Sequence, residues 1–147
     1  MSAVQGAVPR GAVRLRFDSA GTDWDAWFFE GSKRSPFEIG GRRPVVVMAH
    51  GFAGTKDSGL APFAQRFADA GLAVFAFDYR GFGHSDGVPR QRVSMAGQAR
   101  DYASAIEAAA TLPGVDPGRI IIWGVSLGGG LALKVAQGRA DIAAGGA

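Results

Sequence analysis

No cysteine occurs among the 147 residues, which excludes disulfide frameworks and thiolate metal sites together and suits a reducing compartment. Histidine is scarce as well, with only His50 and His84 present. No carboxylate pair or His/Asp cluster takes over a ligand role, so neither a metal nor another cofactor is expected. Long apolar runs are also missing. The runs beside strand patterns, such as Val45 to Ala49, are far too short to cross a bilayer. The first eleven residues hold no lysine or arginine before Arg10 and no continuous apolar core, so they do not resemble a secretory signal. These absences together lead to the expectation of a cytoplasmic protein with no membrane partner.

Charge of one sign is likewise not concentrated. Sixteen Lys and Arg against 13 Asp and Glu give a net charge of +3, and the arginines are spread along the chain. No basic stripe marks a nucleic-acid surface, so no nucleic-acid partner is expected. What the chain does have is apolar content, at 47%, and enough length to bury a core. One domain spanning residues 1–147 is expected.

Ala12 to Phe17 alternates apolar and basic residues, and Trp24 to Glu30 is aromatic-rich, with Ser19-Ala20-Gly21-Thr22 as a turn between them. The two read as an antiparallel pair at a sheet edge, with Trp24, Trp27, Phe28 and Phe29 packing it. Gly31 to Arg43 has loop composition, and Pro44 opens a strand over Val45-Val46-Val47-Met48. Leu60 to Ala70 carries apolar residues at helical spacing and stops at Gly71. Leu72 to Phe77 is continuously apolar, as a parallel strand covered on both faces should be. A glycine-rich loop from Asp78 to Gly87 leads into a helix over about Met95 to Leu112, on which Asp101 and Glu107 are expected to face solvent. A strand over 120–123 and a helix from Ser126 to about Gly138 follow, and the small-residue tail Ala143 to Ala147 is expected to fray. The order is that of a doubly wound, mostly parallel α/β sheet with a leading antiparallel pair.

The most informative stretch is Ile120-Ile121-Ile122-Trp123-Gly124-Val125-Ser126-Leu127-Gly128, a buried-strand run entering Gly-x-Ser-x-Gly before a helical pattern. That context suits a nucleophile elbow. A serine on a tight strand-to-helix turn leaves no room for side chains two residues away, and glycine at 124 and 128 removes both collisions. Ser126 is then the candidate nucleophile. The Leu127 amide, at the positive end of the new helix, is a candidate oxyanion donor. A glycine-rich turn whose serine merely caps the helix is the simpler alternative.

Three motifs carry a resemblance: His50-Gly51-Phe52, Asp78-Tyr79-Arg80-Gly81-Phe82-Gly83-His84-Ser85, and Gly124-Val125-Ser126-Leu127-Gly128. In this order and at these strand ends the chain resembles the α/β-hydrolase superfamily over roughly residues 12 to 140. It looks most like the bacterial esterase or dipeptidyl-peptidase-like members. The resemblance implies strand order 1-2-4-3-5, Ser126 as nucleophile, and an oxyanion hole from the backbone amides of Phe52 and Leu127. Gly51 lets the chain turn after the third strand, and His50 orients that loop rather than taking a proton. Asp78 and Arg80 would bond backbone and neighbours, and His84 would be a turn residue. The implied activity is hydrolysis of carboxylic esters or related small-molecule acyl substrates.

One departure stands out. In this family the acid and histidine follow the nucleophile in the chain, whereas the 21 residues after Ser126 contain one acid, Asp141, and no histidine. The expectation is therefore the N-terminal part of a hydrolase domain, truncated after the helix that follows strand 5. Strand 120–123 would be left as an exposed edge that invites self-association. The rival reading is a non-catalytic, degenerate hydrolase remnant or assembly module.

Overall fold

A computed structural model describes residues 8–19, 21–50, 56, 59–79, 85–87, 95–124 and 127–146 of the chain. Strands β1 (Ala12–Ser19) and β2 (Thr22–Phe29) form the antiparallel pair that the alternation of Ala12 to Phe17 predicts. They are followed by β3 (Arg43–Ala49), α1 (Ala61–Asp69), β4 (Ala73–Phe77), α2 (Met95–Ala110), β5 (Val115–Gly124), α3 (Leu127–Ala136) and β6 (Ile142–Gly146). The six strands form one sheet in the order β1-β2-β4-β3-β5-β6. The expected 1-2-4-3-5 order is thus present, with a sixth strand added.

The sheet is covered on both faces. Because side chains alternate along a strand, Val45, Val47 and Ala49 of β3 and Ala73, Phe75 and Phe77 of β4 pack with Tyr102, Ile106 and Ala109 of α2. The alternate residues Val46, Met48, Val74 and Ala76 pack with Ala64 and Ala68 of α1. Trp24, Trp27, Phe28 and Phe29 are all buried. Phe63 and Phe67 of α1 reach around to Trp123, with ring centroids 5.2 and 6.2 Å away.

Two expectations fail. The tail does not fray: β6 pairs parallel with β5, matching Ile120 to Ile142 and Trp123 to Gly146. Strand 120–123 is therefore flanked by β3 on one side and β6 on the other, and it is not the open edge through which self-association was expected. Ala-Ala-Gly-Gly carries almost no strand signal in its side chains. Its backbone groups nonetheless complete a ladder against the apolar β5, which is reason enough for it to extend. The second failure is Asp101, which is 5% exposed. It lies one residue before the buried Tyr102 on the inward face of α2, whereas Glu107 is exposed as expected.

Both tyrosines of the chain are buried. The Tyr102 hydroxyl lies 2.8 Å from the Val47 and Trp123 carbonyls and accepts from the Trp123 N–H at 3.1 Å, so one side chain of α2 bridges β3 and β5. Burial pushes its pKa upward, against a smaller lowering by the Trp123 backbone. Burial likewise raises Tyr79 well above the ordinary 10.0, helped by Tyr102 and Asp101.

A folded-state pKa above the unfolded value means that this stabilisation is complete below pH 10.0 and declines as pH rises beyond it. With only two tyrosines present, phenolate absorbance is expected to rise together with loss of native tryptophan fluorescence. A phenolate midpoint near the ordinary value while the fluorescence stays native would contradict this burial. Tyr102→Phe is expected to lower stability by about 1–3 kcal/mol, because the part-buried Trp123 N–H and the Val47 and Trp123 carbonyls lose their hydroxyl partner. Urea unfolding checks that change.

Candidate active site

The central strand fixes where the chemistry can sit. Ala49, at the carboxyl end of β3, is the register partner of both Phe77 on β4 and Gly124 on β5. All three parallel strands therefore end level, and the three motifs leave the sheet from the same edge. Ligands of open α/β sheets bind outside such carboxyl ends, because the faces are sealed by helices and only the ends are accessible.

Ile120 to Trp123 enter the ladder as an apolar strand, β5 ends at the buried Gly124, and α3 starts at Leu127. Only residues 125 and 126 separate strand from helix. Leu127 and Gly128 are in the first turn of α3, where backbone N–H groups have no partner within the helix and the helix end is positive. Ser126, Gly51 and Phe52 lie outside the described residues, as do Arg80 and His84.

His50 directly follows β3 and is buried. Its Nε2 accepts the Tyr79 backbone N–H at 3.3 Å, and its ring meets the Tyr79 ring edge-on at 4.7 Å. Asp78, the residue after β4 in the ladder direction, is fully buried and accepts both the backbone N–H of Lys56 at 2.8 Å and its ammonium at 2.5 Å. The same ammonium lies 2.5 Å from Asp25 Oδ2 and over the Trp27 ring, 5.2 Å from its centroid. Arg14 and Arg16 approach the other Asp25 oxygen from the rim at 3.4 and 3.8 Å. Ser85 completes the cluster, donating to the Asp78 carbonyl at 2.7 Å and accepting the Asp25 N–H at 2.9 Å.

Asp25 and Lys56 escaped the sequence reading. The available signal was a single carboxylate inside the aromatic run Trp24-Asp25-Ala26-Trp27-Phe28-Phe29, since a charge there has to be paired once the strand is covered. Asp141, the acid downstream of Ser126, is engaged elsewhere. It pairs with Arg139 through bonds of 3.0 and 2.8 Å, and the Arg139 side chain holds its carboxyl below the ordinary range. It precedes β6 and therefore sits at the amino end of that parallel strand, away from the edge where the motifs gather.

Comparison with known proteins agrees with this geometry. Residues 40–146 match the family described as "Serine aminopeptidase, S33". The quorum-quenching protein AidA of Acinetobacter baumannii is 39% identical over 137 residues, covering 93% of this chain and 43% of AidA. The thiohydrolase aneE of Aspergillus aculeatus is 41% identical over 93 residues, covering 63% and 29% of the two chains. The crystal structure of the α/β hydrolase GrgF from a Penicillium species superposes with a TM-score of 0.80 at 29% identity, covering 91% of this chain and 44% of GrgF. The chain thus spans less than half the length of these relatives. With its strand order, the level ends of its parallel strands and this match, the chain belongs to the serine aminopeptidase S33 family of α/β hydrolases.

Proposed function

We propose that this chain supplies the nucleophile and the oxyanion hole of a serine hydrolase that transfers acyl groups from esters or thioesters. The observation that carries the reading is the common register of Ala49, Phe77 and Gly124, with only two residues between the end of β5 and the start of α3. Ser126 is one of those two. Its hydroxyl attacks the acyl carbonyl, and the oxyanion that develops accepts hydrogen bonds from the amides of Leu127 and Phe52. The leaving alcohol or thiol takes the proton that Ser126 gave up, and water then releases the acyl group to regenerate the serine.

A histidine has to carry that proton in both steps, and no histidine follows Ser126 in this sequence. His50 is a poor substitute, since its Nε2 already accepts a backbone N–H. Asp141 is a poor acid, since Arg139 occupies its carboxylate. The base and its orienting acid are therefore assigned to sequence that the longer relatives have and this chain does not span. A thiohydrolase among the relatives favours thioesters within the acyl class.

The test is active-site labelling of the protein as its source organism makes it. A fluorophosphonate probe is expected to modify Ser126, and Ser126→Ala is expected to abolish both labelling and hydrolysis of an activated thioester. The loss in kcat should reach several orders of magnitude, with fluorescence and unfolding unchanged. Labelling that survives Ser126→Ala would overturn the nucleophile assignment, and a folded protein inert to probe and thioester alike would favour the non-catalytic reading.

A further inference from the structure

We propose that the loop before β3 carries a docking turn for an anionic lipid surface, built from Phe37 and Ile39 with Lys33, Arg34 and Arg42 around them. Six large apolar side chains are exposed among the described residues, and these two, at 41% and 68%, are the pair that falls within one turn. A single exposed apolar residue is ordinary, whereas apolar side chains grouped among polar ones mark an interaction surface. Lys33, Arg34 and Arg42 are themselves exposed. Within the loop Lys33, Arg34, Arg42 and Arg43 outnumber Glu30 and Glu38, and Glu38 is drawn to Arg43, its Oε1 lying 3.4 Å from Nη2. Asp116, at the start of β5, is likewise held by Arg119 at 2.7 Å.

The turn is fastened from several sides. Ile39 and Arg42 exchange backbone hydrogen bonds of 2.8 and 3.1 Å around Gly40 and Gly41, whose φ angles of 60° and 79° suit a two-residue hairpin. Arg119 donates to the Phe37 carbonyl at 2.7 Å and to the Arg42 carbonyl at 3.1 Å. Arg43 donates to the Ser32 carbonyl at 2.6 Å, and the Phe37 N–H donates to Ser35 Oγ at 3.2 Å. The apolar side chains are thus presented on ordered backbone, which removes part of the entropy cost of binding.

A lipid surface fits this turn better than a folded partner does. Two apolar side chains bury far less than the roughly 1,000 Å² that a specific protein interface needs. A headgroup layer deforms around them, and its negative charge attracts each nearby lysine or arginine. No helix among the described residues is long and apolar enough to cross a membrane, and the contact proposed is interfacial and reversible, a property that the length of apolar runs does not reveal. Ile39 precedes β3 at the amino edge of the parallel strands, and β3 spans seven residues, about 20 Å at roughly 3.3 Å per residue. The docked protein therefore turns the carboxyl edge, where the motifs gather, away from the lipid.

Sedimentation of the full-length protein with vesicles provides the test. Binding is expected to phosphatidylcholine vesicles that contain about 30% phosphatidylserine, and to be at least about tenfold weaker without the anionic lipid or in about 0.5 M salt. Phe37→Ser combined with Ile39→Ser should weaken it by about tenfold or more, and Lys33→Glu combined with Arg34→Glu by at least as much. All four side chains are exposed, so thermal unfolding should be unchanged in both variants. Neither readout passes through Ser126, so the outcome is independent of the acyl-transfer reading. Anionic binding that the serine changes leave intact, or equal binding to neutral vesicles, would overturn the proposal. Absence of binding to anionic vesicles would overturn it as well, and retention on an immobilised acidic peptide that Ile39→Ser abolishes would then assign the turn to a protein partner.

Discussion

The register of three parallel strands is the constraint from which the remaining features follow. With apolar helices packed on both faces, a polar side chain on β3, β4 or β5 can be accommodated only where the strand ends. Ala49, Phe77 and Gly124 end together, so the residues that follow them are brought to one edge by the ladder itself. Backbone hydrogen bonding of ordinary strands thus sets the spacing between the ends of β3, β4 and β5. The level ends also explain why Tyr102, from a helix on one face, can bond both β3 and β5 just below that edge.

Much of this architecture was legible in the sequence because it rests on signals that a sequence expresses directly. Continuous apolar runs over Val45 to Met48 and Leu72 to Phe77 can only be strands covered twice, and Gly71 marks the end of α1. The strand β6 was not legible, since Ala143 to Gly146 offers neither alternation nor bulk, and its pairing is decided by the backbone of β5. Asp101 was misjudged for a related reason. Its alanine neighbours made α2 look amphipathic only weakly, and burial of a carboxylate depends on partners that no periodicity shows.

The site divides along the same line. The elbow context was written in Ile120 to Gly128, where each residue type answers a local demand of the backbone. The Asp25, Lys56 and Asp78 cluster joins residues separated by 31 and 22 positions, and no local pattern announces it. Asp78 was expected to bond backbone and neighbours, and it accepts the Lys56 backbone N–H while also pairing with the ammonium of that distant lysine. Ser85, seven residues on, donates to the Asp78 carbonyl.

Charge balance explains why the cluster includes the antiparallel strand. One buried ammonium between two buried carboxylates leaves an excess negative charge, and an unpaired buried charge is strongly destabilising. Arg14 and Arg16, 35% and 40% exposed on β1, provide compensation at Asp25 without being buried themselves. Their place follows from the β1–β2 register, which sets Arg16 directly opposite Asp25. Asp25 then uses its backbone as well, giving its N–H to Ser85 and accepting the Asp78 N–H at 3.0 Å on its carbonyl. A strand that by composition looked like edge packing thereby holds both connections that flank the centre of the sheet. Asp25 is thus a principal point at which the N-terminal hairpin meets the carboxyl edge, and any change that shifts its register against β4 should be felt at that edge before it is felt in the core.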